Sequence, residues 1–116
     1  MRKIKTTKQY KKSYKRCLKR GGFPLQAFEY ISQILVTRPF TQDEVYNYKV
    51  HKLQNSRKYK DCWELHIDGS SGDWLLIYKL LGDSVRFEDV IVEYNDIGTH
   101  SDCFGEIDLT DDLVIL

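Results

Sequence analysis

Three histidines, His51, His66 and His100, are the side chains of this 116-residue chain best suited to moving protons near neutrality, since an unperturbed imidazole titrates at about 6.5. His100 lies in GTHSDCFG (Gly98 to Gly105), which also holds Phe104. The preceding DWLLIYKL (Asp73 to Leu80) adds Asp73 and Trp74 to the same C-terminal block. The combination points to a nuclease rather than a plain binding domain. Each residue also has a quieter reading. A histidine on the polar face of a strand is commonly a surface residue, large aromatic rings usually pack in cores, and an aspartate before a strand can cap a turn. His66, His100, Cys62, Cys103 and Asp73 are possible metal ligands, but no pair has a spacing such as HExxH or CxxC. Acid–base chemistry without metal or cofactor is therefore expected.

The net charge of +1 hides a strong polarity. Arg2, Lys3, Lys5, Lys8, Lys11, Lys12, Lys15, Arg16, Lys19 and Arg20 all precede the first acid, Glu29, whereas from Asp61 onward only Lys79 and Arg86 are basic. Such a dipole favours approach to a polyanion from one side. A solvated lysine-rich helix that only aids solubility is the alternative, but an unbroken run of cations favours RNA or ribosome contact through Lys8, Lys11, Lys12, Lys15, Arg16 and Lys19.

The elements that must position these residues fit one domain over residues 1–116, with 106–116 an acidic and apolar extension. Residues 2–5 suit a short edge strand. From Thr7, a plausible cap, to Arg20, the residues Tyr10, Tyr14, Cys17 and Leu18 recur at helical spacing. Gly21 and Gly22 end that helix, and a second one opens at Pro24 with Leu25, Phe28, Ile31, Ile34 and Leu35 as its apolar stripe, ending before Arg38-Pro39. In CWELHID (Cys62 to Asp68), Trp63, Leu65 and Ile67 share one face, while Cys62, Glu64 and His66 share the other. Gly82-Asp83 is expected to close a tight hairpin between residues 74–81 and 84–92. That register sets Tyr78 opposite Phe87 and Lys79 opposite Arg86, and the two cations then read as phosphate neighbours. No apolar run approaches a membrane span, no apolar stretch follows the basic N-terminus, and the three cysteines are unpaired in pattern. A cytoplasmic location, no membrane partner and reduced thiols are expected.

Several short motifs, in order, resemble the YafQ branch of the RelE/ParE superfamily of bacterial type II toxins. They are YKVHKLQ with His51, ELHID with His66, Asp73-Trp74 opening WLLIYKL, Arg86-Phe87-Glu88, and GTHSDCFG with His100 and Phe104. The resemblance implies an α+β, RelE/ParE-like fold: an N-terminal strand and helical hairpin packed on a small, mainly antiparallel twisted sheet. Residues Asp89 to Ile97 look like an insertion relative to the family pattern, as does the tail after Gly105. Members are ribosome-dependent endoribonucleases that cut messenger RNA in the ribosomal A site and are held inactive by a cognate antitoxin. A DinJ/RelB-like antitoxin, in a heterotetrameric complex, and the ribosome with its mRNA are the implied partners.

On that resemblance His51, His66, Asp73 and His100 match catalytic positions and Trp74 and Phe104 match substrate-binding positions. Cleavage by the RNA 2′-hydroxyl requires a base for its proton, an acid for the departing 5′-oxygen, and positive charge near the phosphorane. His100 is the expected acid, His66 or Asp73 the base, and His51 an aid to proton transfer or phosphate binding. The competing class is a non-enzymatic binder on the same fold, either an RNA- or ribosome-binding module or a gyrase-poisoning toxin. A pure binder needs the lysines but has no use for all three histidines.

Overall fold

The structure, a computed structural model, describes residues 2–82 and 90–105. Its elements run β1 (Lys3–Thr6), α1 (Lys8–Arg20), α2 (Leu25–Thr37), α3 (Gln42–Asn47), β2 (His51–Lys52), β3 (Trp63–His66), β4 (Trp74–Leu81) and β5 (Ile91–Thr99), closed by a π-helical turn at Ser101–Gly105. The strands form one five-stranded sheet in the order β1-β5-β4-β3-β2. The β1–β5 pair is parallel and the others are antiparallel. This is the expected α+β architecture.

The Thr7 hydroxyl oxygen accepts the Tyr10 N–H at 3.1 Å, capping α1 as its position before a helical stripe predicts. The same hydroxyl lies 3.1 Å from the Tyr94 carbonyl, so the cap also docks α1 on β5. The stripe is narrower than its spacing suggests: Tyr10, Ser13 and Cys17 are buried while Leu18 is exposed. Phe28, Ile31 and Leu35 of α2 meet Leu65, Leu76, Tyr78, Val92 and Ile97 of the sheet to make the main core. The short helix α3 was not apparent from hydrophobic spacing, because none of its residues is buried. Thr41 and Glu44 form a reciprocal capping box at its start.

The expected hairpin register is corrected. Tyr78 pairs with Tyr94 and Lys79 with Glu93, because β5 begins only at Ile91 and slips past a bulge between Ile77 and Tyr78. Lys79 therefore faces a carboxylate across the ladder rather than a second cation. Arg86 and Phe87 lie outside the described residues, as does the 106–116 extension. Of the segment 89–97, residues 91–97 belong to β5, an interior strand paired on both sides.

A second, smaller apolar cluster covers the other face of the sheet. Tyr59, Cys62, Leu75, Ile77 and Cys103 are buried there, flanked by Leu53 and Phe104. The loop between β2 and β3 and the terminal turn thus fold over the face on which Glu64 and His66 lie. All three cysteines are free and buried. Burial pushes the Cys103 thiol up to about 12 and raises Cys62 as well, which leaves both as packing groups rather than ready thiolates. Among the described residues no helix is long and apolar enough to cross a membrane.

Candidate active site

The antiparallel pairing of β2 with β3 sets His51 directly opposite Glu64, and the two-residue period of β3 puts His66 on the same face. Glu64 Oε2 stands 3.3 Å from His51 Nε2 and 3.6 Å from His66 Nε2, so one carboxylate serves two imidazoles. The second distance is that of an ion pair rather than a hydrogen bond. Both rings are oriented by their other nitrogen: His51 Nδ1 lies 2.9 Å from the Lys49 carbonyl and His66 Nδ1 lies 2.9 Å from the Gly72 carbonyl. A carbonyl only accepts, which places a proton on each Nδ1 and turns each Nε2 toward Glu64. A proton arriving on either Nε2 is met by the same negative charge.

Glu64 and His66 are only 4% and 6% exposed, whereas the His51 side chain is 44% exposed. His66 faces away from the main core, as the alternation predicts, but it is buried rather than on the surface, because the terminal turn and the β2–β3 loop cover that face.

The far wall of the cleft is the terminal turn. Asp73 accepts the His100 backbone N–H through its carbonyl at 3.1 Å and its Oδ1 at 3.2 Å, which fixes where β5 gives way to the turn. Asp102 Oδ2 accepts the Thr99 N–H at 2.9 Å and the Asp102 N–H donates to Thr99 Oγ1 at 3.2 Å, a reciprocal cap across His100. The Phe104 ring rests edge-on against Tyr59, with centroids 5.4 Å apart, and lies 5.5 Å from the His100 ring. Beneath it the Tyr59 hydroxyl donates to the buried Asp96 carboxylate. The resulting cleft, about 520 Å³, is lined by His51, Glu64, His66, His100 and Phe104, with Lys49 at its edge.

Four of the expected site residues, His51, His66, His100 and Phe104, therefore share one cleft. Asp73 is not part of its lining and acts on the backbone of His100. Trp74 turns to the opposite face of the sheet, 5.3 Å edge-on to Phe23 and under the guanidinium of Arg20. Lys79 lies farther along β4, opposite Glu93. Among the described residues no group of three or more His, Cys, Asp or Glu side chains is arranged to hold a metal. Glu64 is the residue that sequence reasoning missed. Its placement on the His66 face was legible, but its burial between two histidines was not.

The cations of α1 form a separate surface. Lys8, Lys11, Lys12, Lys15, Arg16 and Lys19, with Arg20 at the helix end, border a shallow groove of about 740 Å³ on the outer side of the helix. The sheet-facing side is taken by Tyr10, Ser13 and Cys17.

Residues 2–105 match the family described as bacterial toxin of type II toxin-antitoxin system, YafQ. Over 105 residues the chain is 34% identical to the mRNA interferase toxin YafQ of Escherichia coli strain K12, covering 90% of this chain and 97% of that one. Its fold matches the crystal structure of YafQ from E. coli strain BL21(DE3) with a TM-score of 0.68 at 28% identity, covering 90% and 100% of the two chains. It also matches the E. coli DinJ–YafQ complex structure with a TM-score of 0.65 at 30% identity and the same coverage, 90% and 100%. The 106–116 extension lies beyond the family match.

Proposed function

The chain belongs to the YafQ family of bacterial toxins of type II toxin–antitoxin systems, and from this membership we propose that it is an mRNA interferase. It cuts mRNA in the ribosomal A site, acts in the cytoplasm, and is silenced by a DinJ-like antitoxin. The observation that carries this reading is the convergence of His51, Glu64, His66, His100 and Phe104 on one open cleft. Residues 1–116 act as one toxin domain, with 106–116 appended to it.

The proposed reaction is transesterification. His66 Nε2 takes the proton of the RNA 2′-hydroxyl, the 2′-oxygen attacks phosphorus, and the P–O5′ bond breaks as His100 delivers a proton to the departing O5′. The products are a 2′,3′-cyclic phosphate and a 5′-hydroxyl. Glu64 stabilises the positive charge that His66 acquires, His51 and Lys49 face the phosphate, and Phe104 offers a ring for a base to stack on. Asp73 serves by holding the His100 backbone rather than as a base. The α1 cations supply affinity for ribosomal RNA without sequence choice. Proton transfer by positioned groups needs no metal in this scheme.

Cleavage mapping of a defined mRNA with purified protein, with and without programmed ribosomes, tests the proposal. Cuts confined to the A-site codon and dependent on ribosomes are expected. A folded protein that binds ribosomes or halts growth without cutting would overturn it in favour of a non-enzymatic binder.

A further inference from the structure

We propose that Arg20 is a positioning residue for the cleft: it fastens the turn Ser101–Gly105, and with it His100 and Phe104, to the C-terminal end of α1. The inference rests on the nuclease reading for its catalytic consequence, but the clamp itself stands on geometry.

Arg20 closes the run of N-terminal cations, yet its guanidinium is already engaged. Nη1 donates to Asp102 Oδ1 at 3.0 Å and Nη2 pairs with Oδ2, which makes a bidentate contact that joins α1 to a turn 82 residues later in the chain. On its other side the guanidinium carbon lies 5.1 Å from the centre of the Trp74 ring. Three elements are thus tied at one point: α1 through Arg20, β4 through Trp74, and the terminal turn through Asp102. Asp102 in turn caps the Thr99 N–H, and the next residue is His100. Arg20 holds the Asp102 carboxyl well below the usual carboxylate range, so the clamp stays closed across neutral pH. Gly98 permits this approach, since a Cβ there would come within 2.8 Å of Asp102 Cβ.

This assigns different work to neighbours that look alike in sequence. The cations from Lys8 through Lys19 and Arg20 border the same groove, but the Arg20 guanidinium is tied to Asp102 of the terminal turn. It also gives Trp74 a place in the site without contact to RNA: the ring is the floor on which the clamp rests. A lysine could replace Arg20 as a phosphate partner but not as a planar two-pronged one stacked on an indole.

The test combines histidine NMR with kinetics on the full chain. The ring C–H signals of His100 carry the ring-current shift of Phe104, so they report the turn directly and need no activity. In Arg20→Ala and Asp102→Asn these signals should move toward those of free histidine while those of His51 and His66 stay in place. Single-turnover cleavage on programmed ribosomes should fall by about tenfold to a hundredfold, with ribosome affinity within about twofold of wild type. Arg20→Lys should behave like Arg20→Ala. The control Lys11→Ala/Lys15→Ala should weaken ribosome binding and leave His100 unmoved. If Arg20→Ala fails to fold, Asp102→Asn and Arg20→Lys carry the test. Unshifted His100 signals, or full rescue by lysine with a loss confined to affinity, would overturn the proposal. Should the wild type not cleave at all, the nuclease reading falls while the NMR comparison still decides the clamp.

Discussion

Glu64 and His66, two residues apart on β3, turn to the same face, and the Glu64 Oε2 stands 3.6 Å from the His66 Nε2 with both side chains almost fully withdrawn from water. A buried carboxylate is costly unless charge or hydrogen bonds compensate it. Here the nearest groups able to supply that charge are two imidazoles, which do so only once protonated at Nε2, one buried and one half open to solvent. An arrangement of this kind does little for the core and much for a proton in transit.

Glu64→Gln keeps the shape and removes the charge. Single-turnover cleavage should fall by about tenfold to a hundredfold with ribosome affinity unchanged, since the charge on His66 is then unsupported. Cleavage at the wild-type rate would remove Glu64 from the mechanism.

Gly98→Ala should push the terminal turn off β5, because the new Cβ would meet Asp102 Cβ at 2.8 Å and the position has φ +158°. A loss of about 1–3 kcal/mol in thermal or urea unfolding is expected, along with impaired cleavage. The same substitution in an Asp102→Gly background, which removes that Cβ, should cost less, and equal costs in both backgrounds would contradict the close approach.

Acid should loosen the same turn. Asp102 is depressed below its ordinary value of 3.8, chiefly by hydrogen bonding to Arg20, so its contribution is complete above that value and is lost as pH falls below it toward the lower folded-state value. Glu44, lowered to about 2 by Arg38 and the Thr41 backbone, acts in the same direction at α3. Melting curves from pH 6 to pH 3 should fall less steeply for Asp102→Asn than for wild type, by about 1 kcal/mol at most given the partial exposure of the pair. Parallel curves would assign the acid response elsewhere.

Removing the outer cations should act on binding alone. Lys11→Ala/Lys12→Ala/Lys15→Ala should reduce the salt dependence of ribosome association, by about one unit of log–log slope for each RNA phosphate no longer neutralised, with cleavage per bound toxin unchanged. An unaltered slope would make α1 a merely solvated face.

Local chemistry was legible in the sequence and nonlocal pairing was not. Thr7, the α1 stripe through Tyr10 and Cys17, the Pro24 start of α2 and the alternation of β3 depend on neighbours in the chain. The partner of β4 does not. Gly82-Asp83 has the composition of a tight turn, but the register is set by Val92 and Ile97 reaching the core and by β1 pairing on the far side of β5. The orientation of Trp74 was hidden for a related reason: its type suits stacking on a base, and only the sheet decides which face it takes. Glu64 became visible once the β2–β3 loop and the terminal turn were seen to bury it.

The chemistry of the cut ends tests the central claim most directly. An mRNA carrying a single 2′-deoxynucleotide at the scissile A-site position should resist cleavage on programmed ribosomes. The all-ribose message should yield a 2′,3′-cyclic phosphate and a 5′-hydroxyl, about a hundredfold more slowly or worse with His100→Ala. Efficient cutting of the deoxy-substituted message, or products ending in a 5′-phosphate, would contradict acid–base cleavage by this histidine set.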